Sequence, residues 1–313
     1  MVKHRWSCLL VAALVLGGAT VRADETAVSP EVDRALRLLI ASDVFSKKEG
    51  LLELEALREP STASAVQPFL HDANPELRAQ AVTTTRAIEG QAAIPLLTGL
   101  LAGDASEIVR RQAAVELHEL RDPSAIPALL GALQDRRVSV RVAAVEALGA
   151  MHDRAVTPAI LRQAGARDAA LRRSSVDALG ALRDPQGEPV LIARTRDRDV
   201  IVRRAAVAAL HRLRDPSTIP AFIKALRDRD DTVRKLAMKA LGELVTNDAL
   251  PQLERLINTS RPVLRLYAVA LLDHLGTPEA LAVLQRRRER ELNDTLREAL
   301  DLSIRHRNVS GTT

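Results

Sequence analysis

An arginine returns along this chain at nearly constant intervals. Arg78, Arg110, Arg141, Arg172, Arg203, Arg234, Arg265 and Arg297 are separated by steps of 31 or 32 residues. A period of this length marks a stack of small supersecondary units, each too small to bury an apolar face by itself. Each repeat can be numbered from the apolar residue before its arginine, giving segments such as "VRRQAAVELHEL", "VRRAAVAALHRL" and "VRKLAMKALGEL". Apolar residues fall at positions 1, 5, 6, 9 and 12, which in the fifth repeat are Val202, Ala206, Val207, Leu210 and Leu213. That spacing places one apolar stripe on an α-helix.

A second ladder lies between these helices: Pro95, Pro127, Pro158, Pro189, Pro220 and Pro251. Each opens a shorter apolar segment such as "IPALLGAL" or "IPAFIKAL". Proline fits the first turn of a helix, where its missing N–H has no partner to lose. The "RDPS" motifs at Arg121–Ser124 and Arg214–Ser217 predict a turn followed by a serine cap. A third, acidic ladder comprises Asp72, Asp104, Asp135, Asp197 and Asp228, each five residues before position 1. A carboxylate there caps the second helix or turns the chain into it.

Each repeat is therefore helix, tight turn, helix, tight turn. The predicted fold class is all-α, an α-solenoid (superhelix) of about nine stacked helix pairs with a ~31-residue period. Expected boundaries are a capping helix pair over 24–60, the repeat solenoid over 61–305 and a flexible tail over 306–313. The composition agrees with close stacking of small helices. Hydrophobic residues make up 47% of the chain and aromatics only 2%, so Ala, Leu, Val and Ile do the packing.

Residues 1–23 read as a secretory signal peptide. A basic start, "MVKHRW", precedes the apolar run "SCLLVAALVLGGA", and Val21 and Ala23 occupy the −3 and −1 positions of a cleavage site. The apolar run falls short of the ~20 residues that span a bilayer, so no transmembrane segment is expected after cleavage. This predicts export to the periplasm or the extracellular space. The lone cysteine, Cys8, rules out a disulfide within the chain and any cysteine metal cluster. The whole chain carries 45 basic and 40 acidic residues, +5. Loss of Lys3, Arg5 and Arg22 with the leader leaves +2. So small a surplus argues against nucleic acid as the partner.

The repeating pattern "D…VR..AV.ALG.L.DP..IP.L...L" resembles the short HEAT-like repeats of the phycobilisome-lyase type, over about residues 61–305. The resemblance implies a helical solenoid. The family's members include bilin lyases and isomerases, deoxyhypusine hydroxylase, DNA glycosylases of an alkylation-repair type and scaffolds without chemistry. The residues do not repeat the family's catalytic patterns. Only His118–Glu119 forms a His-Glu pair, and His211 lies three repeats away, beyond reach of a shared metal ion. His71, His152, His274 and His306 show no such pairing, and after leader removal no cysteine remains to accept a bilin.

The expected function is accordingly a non-catalytic scaffold that binds a protein or other macromolecule, with no cofactor and no metal. The alternatives are an enzyme of the lyase or hydroxylase type and a binder of nucleic acid or anionic surfaces. The arginine ladder is expected to be structural, each guanidinium pairing with the aspartate six residues upstream or with helix-end carbonyls. Position 3 differs from repeat to repeat and carries Arg111, Arg173, Arg204 and Lys235. These four, followed by His118, His211 and Arg212 at positions 10 and 11, are the candidate partner contacts. Position 7 is mixed in sign, with Lys239, Glu146 and Asp177. The "QRRRERE" stretch at 285–291 reads as a charged capping helix.

Overall fold

A computed structural model describes residues 29–310, and side-chain environments through residue 305. The expected signal peptide and Cys8 lie outside the described residues. Every regular element among the described residues is helical, and the helices form nine pairs there. The chain divides into two compact units after Ala159.

The N-terminal unit begins with α1 (Pro30–Leu39) and α2 (Val44–Leu57). It continues through α3 (Ala63–Val66), α4 (Pro75–Glu89), α5 (Ile94–Gly103), α6 (Glu107–Leu120), α7 (Ile126–Ala132) and α8 (Val138–Ala150). The unit boundary falls inside α9 (Thr157–Gln163). The C-terminal unit contains α10 (Ala169–Leu182), α11 (Glu188–Arg194), α12 (Val200–Leu213), α13 (Ile219–Ala225) and α14 (Asp231–Leu244). It ends with α15 (Leu250–Ile257), α16 (Pro262–Leu275), α17 (Pro278–Arg288) and α18 (Asp294–Ser310). The last helix passes the expected boundary at 305. The first helix breaker after that point is Gly311, so nothing in 306–310 stops the helix.

Within each unit the second helices stack on one another, α4 on α6 and α6 on α8, then α10 on α12. Helices α4, α6, α8 and α12 also pack on the first helix of their own pair. In α12, Val202, Ala206, Val207 and Leu210 are buried as the stripe predicts, while Leu213 at position 12 is only half-buried. Position 8 is buried too, as Ala147, Ala178, Ala209 and Ala240, because a small residue there lets successive second helices approach closely. Gly180 marks the tightest approach. A Cβ built on it would lie 2.7 Å from Cβ of Ala209, so even alanine would force α10 and α12 apart.

The prolines do open the first helices, with Pro95, Pro127, Pro189, Pro220 and Pro251 in the first turn. The cap before them differs from expectation. In both "RDPS" motifs the aspartate is the cap: Asp122 accepts the Ser124 N–H at 2.9 Å and Asp215 accepts the Ser217 N–H at 2.9 Å. The carboxylate is one residue before the proline, where it reaches the free amides of the new turn; the serine lies beyond them. The preceding second helices end on left-handed residues. Arg58, Arg121, His152, Arg183 and Arg214 hold φ between 49° and 55° at a place that favours glycine, and Gly276 supplies it in α16.

Candidate partner-binding surface

The ladder arginines project from the first turn of each second helix over the turn that precedes it. Arg78 donates from Nη1 to the carbonyl oxygen of Asp72 at 2.8 Å, and from Nε and Nη2 to both carboxylate oxygens of Asp104 at 2.9 Å. Arg110 likewise takes the Asp104 carbonyl at 2.8 Å and clasps Asp135 at 2.7 and 3.0 Å. Arg172 clasps Asp197 at 2.8 and 2.7 Å, and Arg203 clasps Asp228 at 2.8 and 3.0 Å.

The donors of these four arginines go to neighbouring turns, and the paired carboxylate is not the one expected. The residue six positions upstream, an aspartate for Arg78, Arg110 and Arg203 and Ala166 for Arg172, contributes its carbonyl; the paired carboxylate belongs to the next repeat, 25 or 26 residues downstream. Sequence proximity misleads here because stacking brings the following turn beside the guanidinium. A planar fork with five donors is suited to bind a carbonyl on one side and a carboxylate on the other. Each closed rung thus ties two successive repeats.

The aspartates do not cap the second helices. Asp72, Asp104, Asp135, Asp197 and Asp228 each accept the N–H two residues on, at 2.7–3.0 Å, and so fold the turn. Capping falls to Asn74, Ser106, Asp168, Asp199 and Asp230. Burial pushes the Asp197 carboxyl upward, but the bonds from Arg172, the Asp199 N–H and Arg194 outweigh it and hold the group at about 2. Asp104 and Asp228 are lowered through the same balance of burial against an arginine fork.

Two rungs lack an acid at the receiving position, which is Ala166 in one repeat and Thr259 in another. Arg141 still binds the Asp135 carbonyl at 2.6 Å, and Arg234 takes the Asp228 carbonyl at 2.9 Å and turns to Asp231 at 2.9 Å. At the last rung Glu291, only 2% exposed, replaces aspartate and receives Arg265 at 3.1 Å and Arg287 at 2.6 Å. Glu291 escapes a search for aspartate alone, although the period points to it. Arg297 is exposed. Another acid the sequence does not single out is Glu116, buried at position 8 of α6. It accepts from Thr83 at 2.8 Å, Gln112 at 2.7 Å and Arg86 at 2.5 Å.

Among the candidate contacts, Arg111 is exposed on α6. Arg173 is exposed and lies 3.5 Å from Asp177 on its own helix, and Lys235 lies 2.7 Å from Asp231. Arg204 is held more firmly, clasping Asp230 at 2.9 and 2.6 Å. Arg111 and His118 belong to the N-terminal unit and the other five to the C-terminal unit. Position 10 is covered to different degrees in different repeats. Gly180 is buried there, His118 is half-buried with an unbonded Nδ1 among the described atoms, and His211 reaches Glu243 at 2.9 Å. Position 11 is open, with Arg212 exposed. The four basic residues thus do not make a bare positive strip, since three of them have acidic neighbours.

The turn edges carry the larger contrast. In the C-terminal unit, a shallow pocket of ≈ 410 Å³ beside the Arg203–Asp228 rung is lined by Arg196, Lys224, Arg227 and Arg229. In the N-terminal unit, the equivalent pocket of ≈ 500 Å³ beside Arg78–Asp104 is lined by His71, Ala73, Gly103 and Ala105. The signal for the first is the repeated "RDRD" at 196–199 and 227–230.

No group of three or more His, Cys, Asp or Glu side chains placed to hold a metal ion occurs among the described residues. No helix among them is long and apolar enough to cross a membrane. A family model for HEAT repeats matches residues 46–117, 100–173, 157–235 and 219–305. The chain belongs to the HEAT repeat family. This bears out the resemblance and the all-α solenoid class read from the period. No curated protein sequence matches the chain. Among solved structures, an engineered protein is 17% identical, covering 96% of this chain and 91% of its own with a TM-score of 0.53. Escherichia coli YibA is 18% identical over 90% of this chain and 99% of its own, TM-score 0.49. The CpcE–CpcF complex of phycocyanin lyase from Nostoc sp. is 20% identical over 90% and 99%, TM-score 0.41. At these identities the likeness concerns the helical repeat fold.

Proposed function

We propose that this HEAT repeat protein is a non-catalytic scaffold that binds a protein partner in the cell envelope. The observation that carries the reading is the division of labour between adjacent positions. Position 2 is arginine in every repeat, and where the rung is closed its donors are spent on the two neighbouring turns. Position 3 reads Ala79, Arg111, Val142, Arg173, Arg204, Lys235, Leu266 and Glu298. Repeats alike in frame and unlike in surface can recognise one partner among many, and a surface already ordered loses little entropy on binding. The leader read from residues 1–23 supports an envelope location.

The test is affinity capture from an envelope extract with residues 24–313, beside a variant carrying Arg111→Glu and Arg173→Glu. These two side chains are exposed and take no part in the frame. The reading expects a defined partner that the variant binds more weakly with an unchanged melting curve. Capture of nothing above background, or an export assay in which removing residues 1–23 changes nothing, contradicts it.

A further inference from the structure

The "RDRD" turns separate their charges. Asp197 receives Arg172 and Arg194 and is buried; Asp199 caps α12 through the Ile201 and Val202 N–H groups. Asp228 receives Arg203, and Asp230 receives Arg204 and the Val233 N–H. All four carboxylates are turned inward. The arginines between them, Arg196, Arg198, Arg227 and Arg229, are exposed. Arg198 donates to the Arg167 carbonyl at 3.1 Å; Arg196, Arg227 and Arg229 form no ion pair among the described residues. A sequence of alternating sign is therefore locally neutral, yet the edge it builds is strongly positive. Lys224, exposed at the end of α13, adds to the same pocket.

We infer that this turn edge of the C-terminal unit is a docking strip for an extended acidic polypeptide segment whose carboxylates recur at every third residue. The inference rests on the scaffold reading and gives it a surface and a partner chemistry. Arg196 and Arg227 occupy equivalent places in successive repeats, and stacked helices lie about 10 Å apart. An extended polyproline-type chain has three residues per turn and rises about 3.1 Å per residue, so every third side chain projects from one face at about 9 Å intervals. Guanidinium groups bind carboxylates through paired donors. The pocket lining holds no aromatic ring on which a base could stack and no large apolar side chain to enter a bilayer. Both features favour a peptide over nucleic acid or a membrane.

The experiment uses the full chain from residue 24 and a fluorescein-labelled peptide of roughly four Glu-Pro-Pro triplets. The control peptide has the same composition with its glutamates contiguous. Anisotropy titrations are run at about 50 and about 300 mM NaCl. The triplet peptide should bind about tenfold more tightly than the control at low salt and weaken at high salt. Arg196→Glu, Arg227→Glu and Arg229→Glu together should abolish that binding without moving the melting curve, while Arg111→Glu with Arg173→Glu should leave it intact. Equal binding by the triple variant, equal binding of the two peptides, or tighter binding of oligo(dT) or phosphatidylserine vesicles than of the peptide would overturn the inference. If the triple variant still captures the same envelope protein as the wild type, the strip is wrong and the scaffold reading stands. If the peptide binds the strip but no envelope protein is captured, the strip stands and the scaffold reading falls.

Discussion

Two pockets at equivalent places show how this protein is built. One lies beside Arg78–Asp104 in the N-terminal unit and the other beside Arg203–Asp228 in the C-terminal unit. Their inner walls are the same: an arginine holding the carbonyl of its own turn and the carboxylate of the next, with bonds of 2.8–3.1 Å in both. Their outer walls share almost nothing. His71, Gly103 and Ala105 stand where Arg196, Arg227 and Arg229 stand in the other. The frame repeats because each repeat must engage the next; the rim residues Arg196, Arg227 and Arg229 are exposed, form no ion pair among the described residues and are free to differ. The same logic separates Arg203 from Arg204, although both end in a carboxylate clasp. Arg203 ties a turn to a turn, whereas Arg204 joins α12 to the cap of α14 and stays half-exposed.

Removing a frame carboxylate should have the largest effect, and the effect should scale with burial. Asp197→Ala leaves Arg172 buried and unpaired, and should lower unfolding free energy by about 3–5 kcal/mol in urea denaturation. If Asp197→Ala costs no more than a surface substitution, the frame is not what holds the repeats in register.

Closed and open rungs give the next contrast. Arg203→Ala should cost about 1–3 kcal/mol, because a two-toothed carboxylate pair and a carbonyl bond are lost together. Arg234→Ala, whose carboxylate contact is with the exposed Asp231, should cost clearly less, since solvent screens that pair and only the carbonyl bonds are lost with it. Equal losses would show that the carboxylate of the next repeat contributes nothing.

Acid should open the most buried rung last. The Asp197 carboxyl is held at about 2 against an ordinary 3.8. A depressed native value means that its contribution is complete above about pH 3.8 and fades as the pH falls toward 2. Stability profiles of the wild type and Asp197→Asn should therefore converge across that window, and parallel profiles there would contradict the assignment. The smallest predicted effect concerns the left-handed helix ends. Arg121→Gly should raise stability by up to about 1 kcal/mol, as φ of 52° suits glycine better than arginine.

The helices were legible because the period is strict: Val202, Ala206, Val207 and Leu210 are buried as their spacing requires. The direction of the rungs was not, because Asp197 is nearer to Arg203 in sequence than Asp228 is, and only stacking reverses that order. The αL ends at Arg121 and Arg214 left no glycine to read. The partner surface was the least legible part. Position 10 supplies two candidate contacts, His118 and His211, but at Gly180 the next second helix covers it. The edge arginines were hidden by their own aspartates, since alternating signs cancel in any count of charge until the fold turns one set inward.

Thermal unfolding of two variants side by side tests the central claim that frame and rim are separate. The account predicts that Asp228→Ala melts several degrees below the wild type, while Arg196→Glu, Arg227→Glu and Arg229→Glu combined melts with it. A triple variant that loses as much stability as Asp228→Ala would show that the rim arginines belong to the frame, and the account would be wrong.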